Sequence, residues 1–307
     1  MDTLPTVQPE FHESIVEHRP VFALESTLIS HGLPAPLNLE CARKTEEDIR
    51  AAGAVPATIA VIDGQIRVGL TDRELERLAE DDDVEKLSRD NLATAVAEGI
   101  TGATTVAASM ICAHKAGITV FATGGIGGVH RGWQQHLDIS ADLIELARTN
   151  VTVVCSGAKS LLDLPATLEL LETLGVPVIG LGTDELPAFF SRESGLVLRQ
   201  TARSVSEAAA IIASRRTLGL EGGEVLAVPP PVTTALPQSE VDQWIDLAIA
   251  EARVANIRGK SMTPFLLERL AKLSVGRTLT ANVALIEHNA VVAAALAIAY
   301  ADYHNSS

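Results

Sequence analysis

Aromatic side chains are scarce, at 3% of 307 residues, yet a hydrophobic content of 47% and a mean hydropathy of +0.23 leave ample material for a core and argue against disorder. Cysteine is scarcer still. Cys41, Cys112 and Cys155 have neither a disulfide-framework nor a zinc-site spacing, which suits a reducing cytoplasm. Basic residues are outnumbered, 24 against 39 acidic ones, for a net charge of −15 and a pI near 4.9. Such a chain repels nucleic acid and anionic membranes, which excludes broad phosphate-backbone binding but leaves room for a local basic pocket. Long apolar runs are missing as well. The longest, Val291 to Ala301, is about half of what a membrane-spanning helix needs and reads as a buried C-terminal core helix. Met1 to Glu17 carries Asp2, Glu10 and Glu13 with no basic start and no apolar run, so it does not read as a signal peptide.

What is present alternates short β-branched runs with longer helical ones, the pattern of α/β layering. Strands are expected at Val21–Leu24, Ala57–Ile62, Ile66–Val68, Ile118–Ala122, Val151–Val154, Val176–Ile179 and Glu224–Val228. Asp63-Gly64 suits a tight type I′ hairpin, and Thr71 with Glu74 forms a capping box. Helices are expected over Asn38–Ala52, Glu74–Glu80, Thr105–Ala116, Ala141–Arg148, Leu164–Leu174, Ser206–Ser214, Val241–Ala255, Pro264–Leu273 and Ala281–Tyr300. Pro229 to Pro231 is the only linker-like stretch and is too short to divide the chain. One domain over residues 1–307 is expected, with 1–18 as an N-terminal extension.

In a parallel α/β sheet ligands bind beyond the C-terminal strand ends, and three such places are unusual. Glu25-Ser26-Thr27 follows the first long strand, with Ser30-His31-Gly32 just after. A carboxylate against an apolar strand end suits proton transfer, or else caps a neighbouring helix. Thr123 to Gly132 holds five glycines in nine residues, with His130 and Arg131. It suits anion binding or is a flexible surface loop, and it lacks the third glycine of a dinucleotide fingerprint. Gly259-Lys260-Ser261 is no P-loop, since Val254 replaces the first glycine and no strand precedes it. The glycine loop runs into His136, Asp138, Ser140 and Asp142. Ser140 is a natural N-cap where a phosphate could rest, and the two aspartates could hold a hard cation or serve the helix dipole and solvent. Lys159, in Cys155-Ser-Gly-Ala-Lys159-Ser160, is a strand-end lysine among small residues. It is either a desolvated nucleophile or a solvated cation.

These segments, with Gly53 to Thr58, Gly102 to Val106 and Thr263 to Leu267, resemble the pseudouridine-5′-phosphate glycosidase family, which includes the indigoidine-cluster protein A. The resemblance runs from about Val21 through the C-terminal helix. It implies a three-layer α/β/α fold with a largely parallel sheet, a cytoplasmic homotrimer, and one manganese, magnesium or similar divalent cation per subunit. The implied reaction, in pseudouridine catabolism, is reversible C–C cleavage of pseudouridine 5′-phosphate to uracil and ribose 5-phosphate. By motif position, Lys159 is the Schiff-base nucleophile, Glu25 the proton donor and Asp138 the metal ligand, acting largely through waters. Lys86, Val106, Thr123, His130, Ser140, Ala141, Asp142 and Asn282 are the implied substrate contacts. In one departure, Asp90 stands after Lys86-Leu-Ser-Arg89 where the family usually has a second arginine, which bears on the anion contacts there.

The chemistry accounts for such residues. An ordinary glycosidase protonates a leaving oxygen; here a uracil carbon leaves, so an imine at C1′ must act as an electron sink and an acid must protonate carbon. A metal-dependent sugar-phosphate hydrolase built on His130, His136, Asp138 and Asp142 is the alternative, but it gives Lys159 no task. A non-catalytic sugar-phosphate sensor leaves both Glu25 and Lys159 unexplained.

Overall fold

The computed structural model describes residues 5–7, 11, 13, 14, 17, 19–257 and 262–305. In chain order the strands are β1 Thr6–Val7, β2 Val21–Leu24, β3 Val55–Ile62, β4 Gln65–Val68, β5 Glu85–Leu87, β6 Gly102–Thr104, β7 Val120–Ala122, β8 Thr152–Cys155, β9 Val178–Leu181, β10 Gln200–Ala202 and β11 Glu224–Ala227. The helices are α1 Leu37–Ala51, α2 Asp72–Glu80, α3 Leu92–Glu98, α4 Val106–Lys115, α5 Trp133–His136, α6 Ala141–Leu146, α7 Leu164–Thr173, α8 Val205–Thr217, α9 Gln238–Val254, α10 Met262–Leu273 and α11 Arg277–Asn305. A π-helical turn, Leu28–Gly32, follows β2.

Among the described residues all strands join one sheet in the order β1-β4-β3-β2-β7-β8-β11-β9-β10, with β6 branching from β3 and β5 pairing β6. The pairing is parallel except at β3–β4 and β3–β6. Alternation along the central strands sends side chains into two cores. Phe22, Leu24, Val120, Ala122, Val154 and Leu226 pack with Ala290, Ala293, Ala294 and Ala297 of α11 and Ile212 of α8. Their neighbours Ala23, Phe121, Val153, Cys155 and Val225 face the opposite way. They meet Val106 and Met110 of α4, Leu143 of α6, Leu171 of α7 and Ala248 of α9. Helices therefore cover both faces, and the three-layer arrangement expected from the resemblance is present.

Local chemistry explains where elements start and stop. The hairpin turn has positive φ at Asp63 (49°) and Gly64 (74°), as type I′ requires. Thr71 and Glu74 complete their capping box at the start of α2. The strand expected at Val176 begins instead at Val178, because Pro177 has no N–H to give the ladder and contributes only its carbonyl, to Val225 N at 2.9 Å. Strands β5 and β6 were not expected at all. They are short, β5 opens with two charged residues and β6 with a glycine, so neither carries a β pattern. Gly102 is nonetheless required there, since a Cβ would lie 2.5 Å from Leu87 Cγ. The N-terminal segment is more than an appendage: β1 pairs in parallel with β4, and Phe11 is buried against Gly69.

Helix α11 corrects the count of apolar runs. Glu287, His288 and Asn289 interrupt it, yet Arg277–Ala301 is by length and composition long and apolar enough to cross a membrane, with an 18-residue stretch of mean hydropathy 1.7. In the structure its alanine stripe lies on the sheet as a core helix. Small residues let it approach closely, so overpacking is its weakness. Ala294→Leu should lower stability by about 1–3 kcal/mol, measured by thermal or denaturant unfolding. Val291→Leu, on the exposed side of the same helix, should stay within about 0.5 kcal/mol.

Candidate active site

Strands β2, β7 and β8 lie side by side, with Leu24 paired to Ala122 and Ala122 to Val154. Their C-terminal ends are therefore level, and the residues that follow meet. Glu25 comes directly after β2, where its two carboxylate oxygens accept hydrogen bonds from the hydroxyls of Thr27 and Thr123. Those bonds hold the carboxylate in a single orientation. Thr123 follows β7, is buried, and does not line the cavity; it acts on Glu25 from behind. Its carbonyl in turn accepts from Asn289 Nδ2 of α11 at 2.9 Å, and the same amide lies 3.2 Å from Ser156 Oγ after β8. One fully buried asparagine thus clamps two strand ends together.

Lys159 is delivered by a bend after β8. Gly157 has φ 79°, and a Cβ there would lie 2.2 Å from the Pro187 carbonyl oxygen, so only glycine fits. The Lys159 N–H donates to Ile126 O at 3.1 Å, which anchors the lysine backbone to the glycine loop. Cys155, at the end of β8, is no rival nucleophile, because burial pushes its thiol up to about 12.

The glycine loop is packed rather than flexible. Ile126 bridges to Ala158, Val129 to Ile139 and His130 to Leu162. Its glycines at 124, 125, 127 and 128 do not have positive φ; they are there for space. A Cβ on Gly127 would lie 2.3 Å from Ser140 Oγ and 2.8 Å from Asp142 Oδ2. Asp142 is buried and spends both oxygens on backbone: Ala107 N–H donates to Oδ1 at 2.9 Å and Gly127 N–H to Oδ2 at 2.8 Å. This carboxylate ties the start of α4, the glycine loop and the start of α6 into one wall. Ser140 caps α6 by accepting from Asp142 N at 3.2 Å.

A cavity of about 370 Å³ opens in front of that wall. Glu25, Lys86, His130, Asp138 and Lys159 line it, with Val106 at one helix start and Ser140, Ala141 and Asp142 at another. A smaller lobe shares Glu25, Lys86 and Lys159 and adds Asn282. Of the site residues that the resemblance implies, all but Thr123 line these two lobes, whereas Arg131 and Ser30 do not. The His130 ring sits 3.9 Å from Asp138 (Nδ1 to Oδ2). Burial holds its pKa below the ordinary histidine value; Asp138 opposes this, and Lys159 and Lys86 reinforce it. His130 is thus a neutral polar group at pH 7. Among the described residues no three His, Cys, Asp or Glu side chains form a metal-binding group. The side chain of His136, and the segment Gly259-Lys260-Ser261, lie outside the described residues.

Residues 10–299 match the family profile described as indigoidine synthase A like protein. The chain belongs to the indigoidine synthase A-like family. A pseudouridine-5′-phosphate glycosidase of Paracoccus denitrificans is 53% identical over 98% of this chain and 100% of its own, and one of Herpetosiphon aurantiacus is 55% identical over 95% and 96%. The crystal structure of a prealnumycin C-glycosynthase in complex with ribulose 5-phosphate matches with a TM-score of 0.92 at 38% identity, covering 100% of both chains. An indigoidine synthase A-like protein from Thermotoga maritima matches with a TM-score of 0.88 at 35% identity over 96% of each chain.

Within this indigoidine synthase A-like site, Asn289 and the positioning role of Thr123 had no sequence signal; an asparagine in an alanine-rich helix and a threonine before glycines look unremarkable until the fold joins them. Gly127→Ala tests the packed wall. It should raise the substrate KM by about tenfold or more through displacement of Ser140 and Asp142, measured by steady-state kinetics, with the secondary structure intact by circular dichroism.

Proposed function

We propose that this protein cleaves the C1′–C5 bond of pseudouridine 5′-phosphate, reversibly, to give uracil and ribose 5-phosphate. The observation that carries the proposal is that Glu25 and Lys159, from strand ends flanking β7, line both lobes of one cavity whose larger lobe is walled by Lys86 and two helix starts. The names of the relatives support the same reading, as does the pentose phosphate held by the structural neighbour.

Each group has a task in that reaction. The neutral Lys159 amine attacks C1′ and the C1′–O4′ bond breaks; O4′ takes the proton that the nitrogen sheds, so the ribose ring opens and the nitrogen regains its lone pair. The nitrogen lone pair then forms C1′=N while the C1′–C5 bond breaks, and its electron pair on C5 takes a proton from Glu25. Water hydrolyses the imine, releasing ribose 5-phosphate and the free lysine. Thr27 and Thr123 hold Glu25 in place for carbon protonation, a step that tolerates little misalignment. Lys86 and the starts of α4 and α6 meet the phosphate, where the N–H ends of both helices favour an anion. Phosphate binding then positions C1′ against Lys159.

A divalent cation is part of the proposal. Asp138 offers a half-exposed carboxylate to the cavity, while both oxygens of Asp142 are engaged by backbone N–H groups. One hard oxygen donor fits a manganese or magnesium ion whose other ligands are mostly water, and not an all-protein cage. When bound, such an ion supplies positive charge beside the substrate's anionic end. The resemblance adds a homotrimer and a cytoplasmic location, and three buried free thiols are compatible with a reducing compartment.

Borohydride in the presence of ribose 5-phosphate should trap a covalent adduct on the wild-type protein. Lys159→Ala should give none and should lose turnover by several orders of magnitude. A hydrolase or a sensor gives no adduct in either protein. Chelator should abolish uracil release and added manganese should restore it, with unfolding curves unchanged because only one side chain depends on the ion. A chelator-induced loss of fold would contradict the water-rich site.

A further inference from the structure

The two lobes of the site differ in character. The larger has the cations, helix starts and open carboxylate that suit a sugar phosphate. The smaller, about 50 Å³, is walled by Leu28, Phe189, Leu267 and Ile286. Apart from the groups it shares with the larger lobe, its polar side chains are His31 and Asn282. A further cavity of about 290 Å³ continues behind, with His31, Gly32, Leu267 and Asn282 as common wall. Apolar surface with few fixed polar groups is the lining that suits a flat heterocycle.

His31 belongs to the Ser30-His31-Gly32 motif and has no task in the mechanism above. It sits in the turn Leu28–Gly32, half-buried, with the backbone carbonyls of Glu85 and Val84 beside its ring. Its Nε2 is buried with no hydrogen-bond partner among the described residues. Burial and the nearby Lys86 ammonium both hold the ring neutral. Two backbone carbonyls lie beside the ring to take an N–H from Nδ1, so we assign the Nδ1–H tautomer, which makes Nε2 an acceptor only. A buried acceptor left unmet is costly, and a ligand N–H meets the need.

Resting on the proposed reaction, we infer that the smaller lobe is the nucleobase subsite and that His31 Nε2 accepts the N1–H of C5-linked uracil. Uracil joined to ribose through C5 keeps both N1–H and N3–H, whereas uracil joined through N1 keeps only N3–H. The Asn282 amide, which both donates and accepts, matches the alternating carbonyl and N3–H edge. The N1–H then needs an acceptor, and His31 supplies one that the reaction leaves unused, whereas Glu25 is already engaged by Thr27 and Thr123 and serves as the acid. His31 therefore reads the donor that distinguishes a C-linked from an N-linked base. A site built around a hydrogen bond rejects analogues lacking the donor far more strongly than a merely apolar pocket does.

The test compares kcat/KM for pseudouridine 5′-phosphate with that for its 1-methyl and 3-methyl base analogues, in wild type, His31→Ala and His31→Gln. Wild type should disfavour the 1-methyl analogue by roughly 100-fold or more. His31→Ala should lose about 10–100-fold on the parent substrate and bring the 1-methyl penalty down to a few-fold, while His31→Gln, which keeps a carbonyl acceptor, should recover part of both. Borohydride trapping of ribose 5-phosphate should persist in both variants, showing an intact fold and sugar half. An unchanged 1-methyl penalty in His31→Ala, or wild-type indifference to 1-methylation, overturns the assignment while leaving the proposed reaction standing. Loss of trapping in both variants places His31 in the sugar half and overturns it too. Failure of wild type to release uracil or to trap ribose 5-phosphate overturns the reaction, and the base subsite with it.

Discussion

The parallel pairing of β7 between β2 and β8 is the constraint on which the site depends. Backbone hydrogen bonds fix the register at one value, because a shift of one residue would exchange Phe121 for Val120 and Ala122 between two different cores. With that register set, the three strand ends stop level and every reactive group follows within five residues. The ladder continues past the strands: Thr123 N donates to Val154 O at 3.0 Å and Ser156 N to Gly124 O at 2.9 Å, so the glycine loop starts as an extension of the sheet. Groups built on such a frame are held in place before a ligand arrives.

Buried carboxylates complete the frame without adding free negative charge to the cavity. Asp142 spends both oxygens on backbone N–H groups. Glu145, one turn further along α6, bonds the Thr149 hydroxyl and the Arg89 guanidinium, which ties the loop after Lys86 to the same helix. A protein with a net charge of −15 thereby keeps a site lined by Lys86 and Lys159 together with the starts of two helices. Asp90, which stands where the resemblance implies a second arginine, lines this cavity too.

Much of this was legible because it is local chemistry. Val21–Leu24 is a strand because a short apolar run can be buried on both faces, and Glu25 ends it because a carboxylate cannot. The capping box at Thr71, the Asp63-Gly64 turn, the Ser140 N-cap and the strand-end places of Thr123 and Lys159 follow from residue types at fixed spacing. The same spacing defined the motifs that carry the resemblance.

Contacts between distant segments were decided only by the tertiary structure, because no local pattern encodes them. Strands β5 and β6 exist because β3 offers an edge to pair with, not because Glu85-Lys86-Leu87 favours extension. Asn289 clamps Thr123 and Ser156 across separations of 166 and 133 residues. The division of the cavity into a polar and an apolar lobe depends on Phe189 of a turn after β9, Leu267 of α10 and Ile286 of α11. The sequence by itself determined which residues end strands, cap helices and carry charge. The fold determined which of those ends face one another, since burial and pairing act between segments that the chain order keeps far apart.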